Sequence, residues 1–233
     1  QVCAVPGGYG VIATRDYEPG DIIFSEKPAV VFSLEEFSAG LLSKGTFPPA
    51  VLKLHDQYVK KGGKKTMSGV VRTNWMGTNK PSVACLCIKL ARVNHSCAPN
   101  CINTWDDNTK TKNLYAIKTI TVGDALSFSY IENTITSTKN RRDNLKTNFG
   151  FKCVCSLCSC EDTATSDRRR NCCEDLQYKL AMADDPKRGM TIATELIALF
   201  KEEGIINPFV LVSTCYNGFH WAVMMKKAVE ADS

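Results

Sequence analysis

The sequence predicts an α+β chain with a helical C-terminal appendage. Three observations carry this. Short β-type segments separated by Gly, Pro, Asn and Asp turns run through residues 1–131 of the 233-residue chain. Helical patterning takes over beyond residue 160, punctuated by prolines. Between the two regions four cysteines crowd together at Cys153, Cys155, Cys158 and Cys160. Strands first and helices afterwards is the α+β order, not the alternation of a parallel α/β sheet.

Taken in order, Gly10 to Thr14 is apolar and β-branched and predicts a strand. Pro19-Gly20-Asp21 is a turn, Ile22 to Glu26 the next strand, and Ala29 to Phe32 a third apolar run. Ser33 with Glu36 three residues on is a capping box ahead of Phe37, Leu41 and Leu42. Pro48-Pro49 interrupts the chain. Val51, Leu52, Leu54, Tyr58 and Val59 then recur at helical spacing, and Lys60 to Lys65 with Gly62-Gly63 reads as a basic loop. Residues 83–93 alternate loosely, and Asn94 to Cys101 carry loop residues. Cys101 to Trp105 and Lys112 to Ile117 are strands about the turn Asp106-Asp107-Asn108. Thr121 to Asp124 is a turn, and Ala125 to Ile131 a strong strand. Arg141 to Asn148 is a short helix. Cys172 to Ala183, Gly189 to Glu203 and Val210 to Ala231 are the C-terminal helices, separated at Pro186 and at Asn207-Pro208.

Composition excludes several classes. Hydrophobic residues are 44% and charged residues 23%, which leaves disordered, collagenous and coiled-coil chains aside. No apolar run is long enough to span a bilayer, so no membrane partner is expected. The net charge of +5 is a mild excess and does not indicate direct nucleic-acid binding; Arg168-Arg169-Arg170 is expected to be a solvated helix face. The first residue is Gln1, so removal of a preceding segment or tag is expected.

Twelve cysteines is a high number, and their clustering matters more. Zinc in a structural site takes four soft ligands in a tetrahedron, and C-x-C-x-x-C supplies three from one tight loop, Cys153, Cys155 and Cys158. The fourth comes from elsewhere, with Cys160 the local rival. Cys85/Cys87, Cys172/Cys173 and Cys215 have no assignment.

Three motifs stand together: Arg92-Val93-Asn94-His95-Ser96-Cys97-Ala98-Pro99-Asn100, Gly123 to Ile131 with Tyr130 near its end, and Phe151 to Cys158. Gly8-Tyr9-Gly10 precedes them. In these residues the chain resembles the SET-domain lysine methyltransferases, and within them the branch related to the SET-and-MYND proteins, small fungal members especially. The MYND finger itself is absent, since residues 33–69 hold no cysteine and one histidine, His55.

The resemblance implies a fold of several short curved sheets with a pseudoknot-like loop. It implies a SET domain over residues 1–152 with a helical insertion at 33–72, a zinc-bound post-SET loop at 153–160 and a helical segment at 161–233. It implies S-adenosylmethionine and Zn2+ as cofactors. Gly8, Tyr9, Gly10, Asn74, Asn94, His95, Tyr130 and Phe151 are the expected cofactor contacts, with Tyr130 catalytic and Phe149 a second aromatic near the adenine or the substrate channel. Cys97 becomes the expected fourth zinc ligand beside Cys153, Cys155 and Cys158. Gly7 departs from the branch, which often has Lys or Arg before its G-x-G; weaker hold on the cofactor carboxylate is expected there. The expected substrate is a protein or peptide lysine, the expected location cytoplasmic or nuclear, and the expected state monomeric. Two alternatives stand beside it: a SET-fold enzyme acting on a small molecule in a fungal biosynthetic pathway, and a non-catalytic zinc-stabilised binding module.

Overall fold

A computed structural model describes residues 1–5, 8–40, 47–59 and 63–231. The expected positions Gly7, Leu41, Leu42 and residues 60–62 lie outside them. The chain divides into two compact units, residues 1–130 with 143–153, and residues 131–142 with 154–233.

The first unit is built from small sheets. Strands β1 (Val2–Val5) and β2 (Gly8–Val11) form an antiparallel ribbon with Cys3 opposite Gly10. β3 (Ile22–Glu26) and β4 (Val30–Ser33) follow, then the short helix α1 (Leu34–Ser38), α2 (Met67–Asn74), β5 (Met76–Gly77) and β6 (Val83–Leu86). β4, β6 and β5 make one three-stranded antiparallel sheet. β8 (Cys101–Asp106) and β9 (Thr111–Ala116) form a hairpin, and β3 joins β9 on its other edge. β7 (Asn94–His95) and β10 (Ser127–Phe128) are two residues each and run parallel.

The turns behave as their residues require. Gly20 and Gly123 sit at φ +99° and +92°, a region that only glycine enters at no cost. The Asp21 carboxylate accepts from the Glu18 N–H at 2.9 Å, and Asp124 accepts from the Thr121 N–H and hydroxyl, both at 2.8 Å. The capping box is present: the Glu36 N–H donates to Ser33 Oγ at 3.0 Å and the Ser33 N–H to Glu36 Oε2 at 2.8 Å.

Two apolar cores fill this unit. One gathers Val11, Tyr17, Leu90, Leu114, Ile120, Leu126 and Phe128 with the thiols of Cys85, Cys87 and Cys101. The other packs Phe32, Leu86 and Ala84 against Val51, Leu54, Val70 and Val71.

The second unit is helical. Residues 138–142 of α3 (Thr138–Phe149) belong to it, and α4 (Ser156–Ser159), α5 (Thr163–Ala181), α6 (Pro186–Glu202) and α7 (Pro208–Ala231) follow. α6 packs on both α5 and α7 around Leu176, Leu180, Ile192, Leu196 and Phe200, with Ile135 added from upstream. Asp162 and Asp185 cap α5 and α6 through the N–H groups of Thr165 and Arg188, at 3.0 and 2.7 Å. Close approach of α6 to α7 depends on Gly189: a Cβ there would lie 2.6 Å from the Trp221 ring. No described helix is long and apolar enough to cross a membrane.

Six expectations change. The helix read from Cys172 begins nine residues earlier, at Thr163, where the Asp162 carboxylate caps it. The strand read at Gly10 to Thr14 begins earlier, at Gly8, and pairs with an unforeseen β1. The helical period of residues 51–59 yields only a 3-10 turn at Val51–Lys53, because Asp56 is committed elsewhere: its carboxylate accepts from the N–H groups of Tyr58 and Thr66 at 2.9 and 3.0 Å. This helps to start α2, whose Gly69 leaves no room for a Cβ beside Asp56. The strand read at Ala125 to Ile131 shrinks to β10. The loop read at Asn94 to Cys101 contains β7, which pairs with it. Arg168-Arg169-Arg170 is not a solvated face throughout. Arg170 is buried and donates from Nε to Glu203 Oε1 at 2.9 Å, Arg169 Nε donates to Oε2 of the same carboxylate at 2.7 Å, and Ser166 donates to it as well.

Candidate active site and thiol cluster

The site forms around the β7–β10 pair. Asn94 lies opposite Ser127 and His95 opposite Phe128. Asn100, at the end of the same motif, clamps the two segments. Its Oδ1 accepts from the Ser127 N–H at 2.8 Å and hydroxyl at 3.2 Å, and its Nδ2 donates to the Ala125 carbonyl at 2.9 Å. The Ser96 N–H donates to the Phe128 carbonyl at 3.2 Å. A short parallel pair is weak by itself, and these side-chain and main-chain bonds hold it.

Beyond β10 the chain turns and Tyr130 folds back on the motif. Its hydroxyl donates to the Val93 carbonyl at 2.7 Å, and its N–H donates to His95 Nδ1 at 3.0 Å. Burial pushes the Tyr130 phenol above its ordinary pKa, so it stays protonated. Four rings surround it, with centroids at 5.2 Å for Phe149, 5.3 Å for His95 and Phe128, and 6.3 Å for Phe151, the last edge-on. Phe151 also faces His95 at 6.1 Å.

Of the expected site residues, His95, Tyr130 and Phe151 therefore meet directly, and Asn94 adjoins them on β7. The Asn94 side chain is exposed and makes no hydrogen bond among the described residues. Gly8, Tyr9 and Gly10 lie in β2, where the exposed Tyr9 ring carries the Arg92 guanidinium 5.6 Å from its centroid. Asn74 ends α2, half-buried, and its Nδ2 donates to the carbonyls of His55 and Val70, both at 2.7 Å. Sequence reading missed Phe128 and Asn100 as parts of the site. Asn100 had a signal, the closing position of the N-H-S-C-x-P-N motif; Phe128 looked like any apolar strand residue.

The thiols of Cys97, Cys153, Cys155 and Cys158 all lie within 4.8 Å of one another, and Cys97, Cys153 and Cys158 are buried. None of the four is in a disulfide. Cys160 is exposed, and its thiol donates instead to the Leu157 carbonyl at 3.3 Å. Four converging sulfurs are a donor set for zinc, not for a hard cation. The fully buried Arg141 guanidinium stands 3.8 Å from Cys158 Sγ, a cation that favours the thiolate form a metal requires. His95 Nε2 lies 3.2 Å from Cys97 Sγ.

The SET domain family matches residues 8–131, more than half the chain. The chain belongs to this family. The SET match holds β2, the whole motif loop and Tyr130. Among curated relatives, the histone-lysine N-methyltransferase set5 of Schizosaccharomyces pombe is 36% identical over 83 residues, which is 34% of this chain and 26% of that protein. A SET and MYND domain-containing protein of Dictyostelium discoideum is 43% identical over 67 residues, 28% of this chain and 16% of that protein. The histone-lysine N-methyltransferase SET5 of Scheffersomyces stipitis is 30% identical over 89 residues, 38% of this chain and 18% of that protein. The chain thus spans about a quarter or less of the length of these relatives.

Proposed function

We propose that this SET domain is a methyltransferase that takes its methyl group from S-adenosylmethionine and delivers it to a lysine side chain of a protein. The observation that carries the reading is the Tyr130 hydroxyl, held on the Val93 carbonyl at 2.7 Å within the ring cluster beside Asn94 and His95. The names of the set5 relatives support the lysine substrate.

The residues present fit the cofactor. Phe151, His95 and Tyr9 offer ring faces to a purine, and Asn94 offers an uncommitted carboxamide to polar groups. When bound, S-adenosylmethionine supplies a methyl group on a sulfonium. The amine that attacks must be neutral, and lysine starts near pKa ~10.4, so it has to lose a proton before reaction. Tyr130 is not the base that takes it, since burial keeps its own proton in place. Its role is orientation. With its proton committed to Val93, the phenol oxygen keeps its lone pairs for the amine N–H and for the weak C–H donors of a polarised methyl. The surrounding rings exclude water and fix the line of approach, the source of most of the rate in a displacement that needs no covalent enzyme intermediate.

Zn2+ held by Cys97, Cys153, Cys155 and Cys158 would supply structure alone, tying Cys153, two residues past Phe151 and with its sulfur 3.9 Å from that of Cys97, to the motif that contains Asn94 and His95. A cytoplasmic or nuclear setting and a monomeric enzyme accompany this reading.

The test is incubation of the zinc-loaded protein with labelled S-adenosylmethionine and a panel of histones, other proteins and lysine peptides. Label released by acid hydrolysis as methyl-lysine is the expected result. Label found only on small molecules of a lysate moves the substrate to the alternative class. A folded protein that shows no calorimetric binding of the cofactor or its demethylated product overturns the reading.

A further inference from the structure

The His95 side chain has a duty separate from any contact of its backbone with a cofactor. A main-chain N–H can only donate, so the 3.0 Å bond from Tyr130 N requires a lone pair on His95 Nδ1. The ring proton then sits on Nε2, and Nε2 is the atom 3.2 Å from Cys97 Sγ. An N–H aimed at a sulfur suits a thiolate acceptor, the form that Cys97 takes as a metal ligand. One imidazole therefore spans two groups with opposite demands: a donor from the tyrosine segment on one side, a thiolate on the other. The Tyr130 ring lies against it, tilted by 60° with centroids 5.3 Å apart, and the Tyr130 hydroxyl reaches back to Val93, the residue just before the motif's Asn94.

We propose that His95 is a positioning residue whose imidazole links the thiol cluster to Tyr130, so that filling the metal site sets the placement of the tyrosine hydroxyl. This rests on the reading of Cys97 as a zinc ligand. Rotation of the ring would break both bonds at once, so the thiolate and the Tyr130 amide hold it in one orientation together. Loss of a hydrogen-bond partner behind a metal ligand weakens metal binding by roughly 10- to 100-fold.

Two conservative variants separate the halves of the link. Asn at 95 puts an amide oxygen near the place of Nδ1 and nothing at Nε2. Gln can put an amide nitrogen near the place of Nε2 and no acceptor at Nδ1. The full chain is purified with its metal, and zinc content is measured first. Zinc transfer to a chromogenic chelator and hydrogen exchange of the Tyr130 amide are then recorded for wild type, His95→Asn and His95→Gln. The expected result in wild type is faster exchange of the Tyr130 amide once zinc is stripped; in the Asn variant zinc transfer is about tenfold faster and Tyr130 exchange no longer responds to zinc. The Gln variant reverses this, holding zinc and losing protection of the Tyr130 amide. Equal zinc transfer in the Asn variant and wild type overturns the proposal, as does undiminished Tyr130 protection in the Gln variant. Parallel loss of both readouts in both variants assigns His95 a merely structural role and also overturns it. A wild-type protein without zinc removes the ligand assignment itself, a failure read before any variant is compared.

Discussion

Replacing Tyr130 by Phe keeps the ring among Phe128, Phe149, Phe151 and His95 and deletes one oxygen. The structure gives that oxygen two separable effects. Its bond to the Val93 carbonyl, 2.7 Å long and attached to a fully buried residue, is lost, and the carbonyl is left without this donor. A typical internal hydrogen bond is worth about 1 kcal/mol net, and an orphaned buried acceptor costs about 1–3 kcal/mol. Phe also escapes the cost of burying a hydroxyl, so a net loss of about 1–2 kcal/mol in stability is expected. The catalytic loss should be larger. An oriented hydroxyl acting on a cationic methyl group contributes on the order of 1.5–3 kcal/mol, a ten- to hundredfold fall in kcat with KM nearly unchanged. Urea titration reads the first effect, and steady-state methyl transfer on the true substrate reads the second. Calorimetry should find cofactor affinity close to wild type. A Phe variant with full kcat refutes the catalytic assignment, and one with an unmoved urea midpoint refutes the Val93 bond as a source of stability.

Elemental analysis should find one zinc per chain, and Cys153→Ser should lower that figure and loosen the Phe151 segment, seen as faster amide exchange there. Gly189→Ala should destabilise the helical unit by about 1–3 kcal/mol because a methyl group meets Trp221; a wild-type denaturation midpoint would count against the close α6–α7 contact. Glu203→Gln removes the charge of the carboxylate that Arg169 and the buried Arg170 share and should cost about 3–5 kcal/mol. The pH dependence of the same site follows. Burial raises the Glu203 carboxyl, but hydrogen bonds from Ser166 and from the guanidiniums of Arg169 and Arg170 outweigh it and hold its pKa below the ordinary 4.5. Its stabilisation is therefore complete above about pH 4.5 and drains away as pH falls through the lowered folded value. Thermal melts between pH 7 and 3 should show an acid-sensitive component that the Gln variant lacks.

What was legible in the sequence was what residues decide locally. Gly20 and Gly123 announced turns because few other residues tolerate their φ. Ser33 and Glu36 announced a helix start by bonds three residues apart, and the β8–β9 hairpin followed from Asp106, whose carboxylate accepts from the Asn108 N–H at 2.8 Å. Asn94, His95 and Tyr130 were legible as a motif. The rest depends on groups distant in sequence. α2 has Thr66 as its cap, yet Asp56 also braces its start from ten residues upstream, and nothing near Met67 signals that. The strand expected through Ile131 ends early because the Tyr130 N–H finds a histidine ring and not a neighbouring strand. The arginine run looked like surface because its partner Glu203 lies beyond the whole of α6.

The segment from Asp124 to Phe128 is shared by two distant parts of the chain. The Ala13 N–H donates to the Asp124 carbonyl and the Leu126 N–H to the Val11 carbonyl, while Ser127 and Phe128 pair with Asn94 and His95. The β1–β2 ribbon can close by itself, but the contacts of residues 11–13 wait for residues 123–126, and those of the motif loop wait for Ser127 and Phe128. Contact order of this kind makes folding slow, because loop entropy is lost before the contacts that reward it are made. The first unit should acquire its tyrosine site as one cooperative late event, whereas the α5–α6–α7 helices, whose contacts are between neighbours in sequence, can zip up early and on their own timescale.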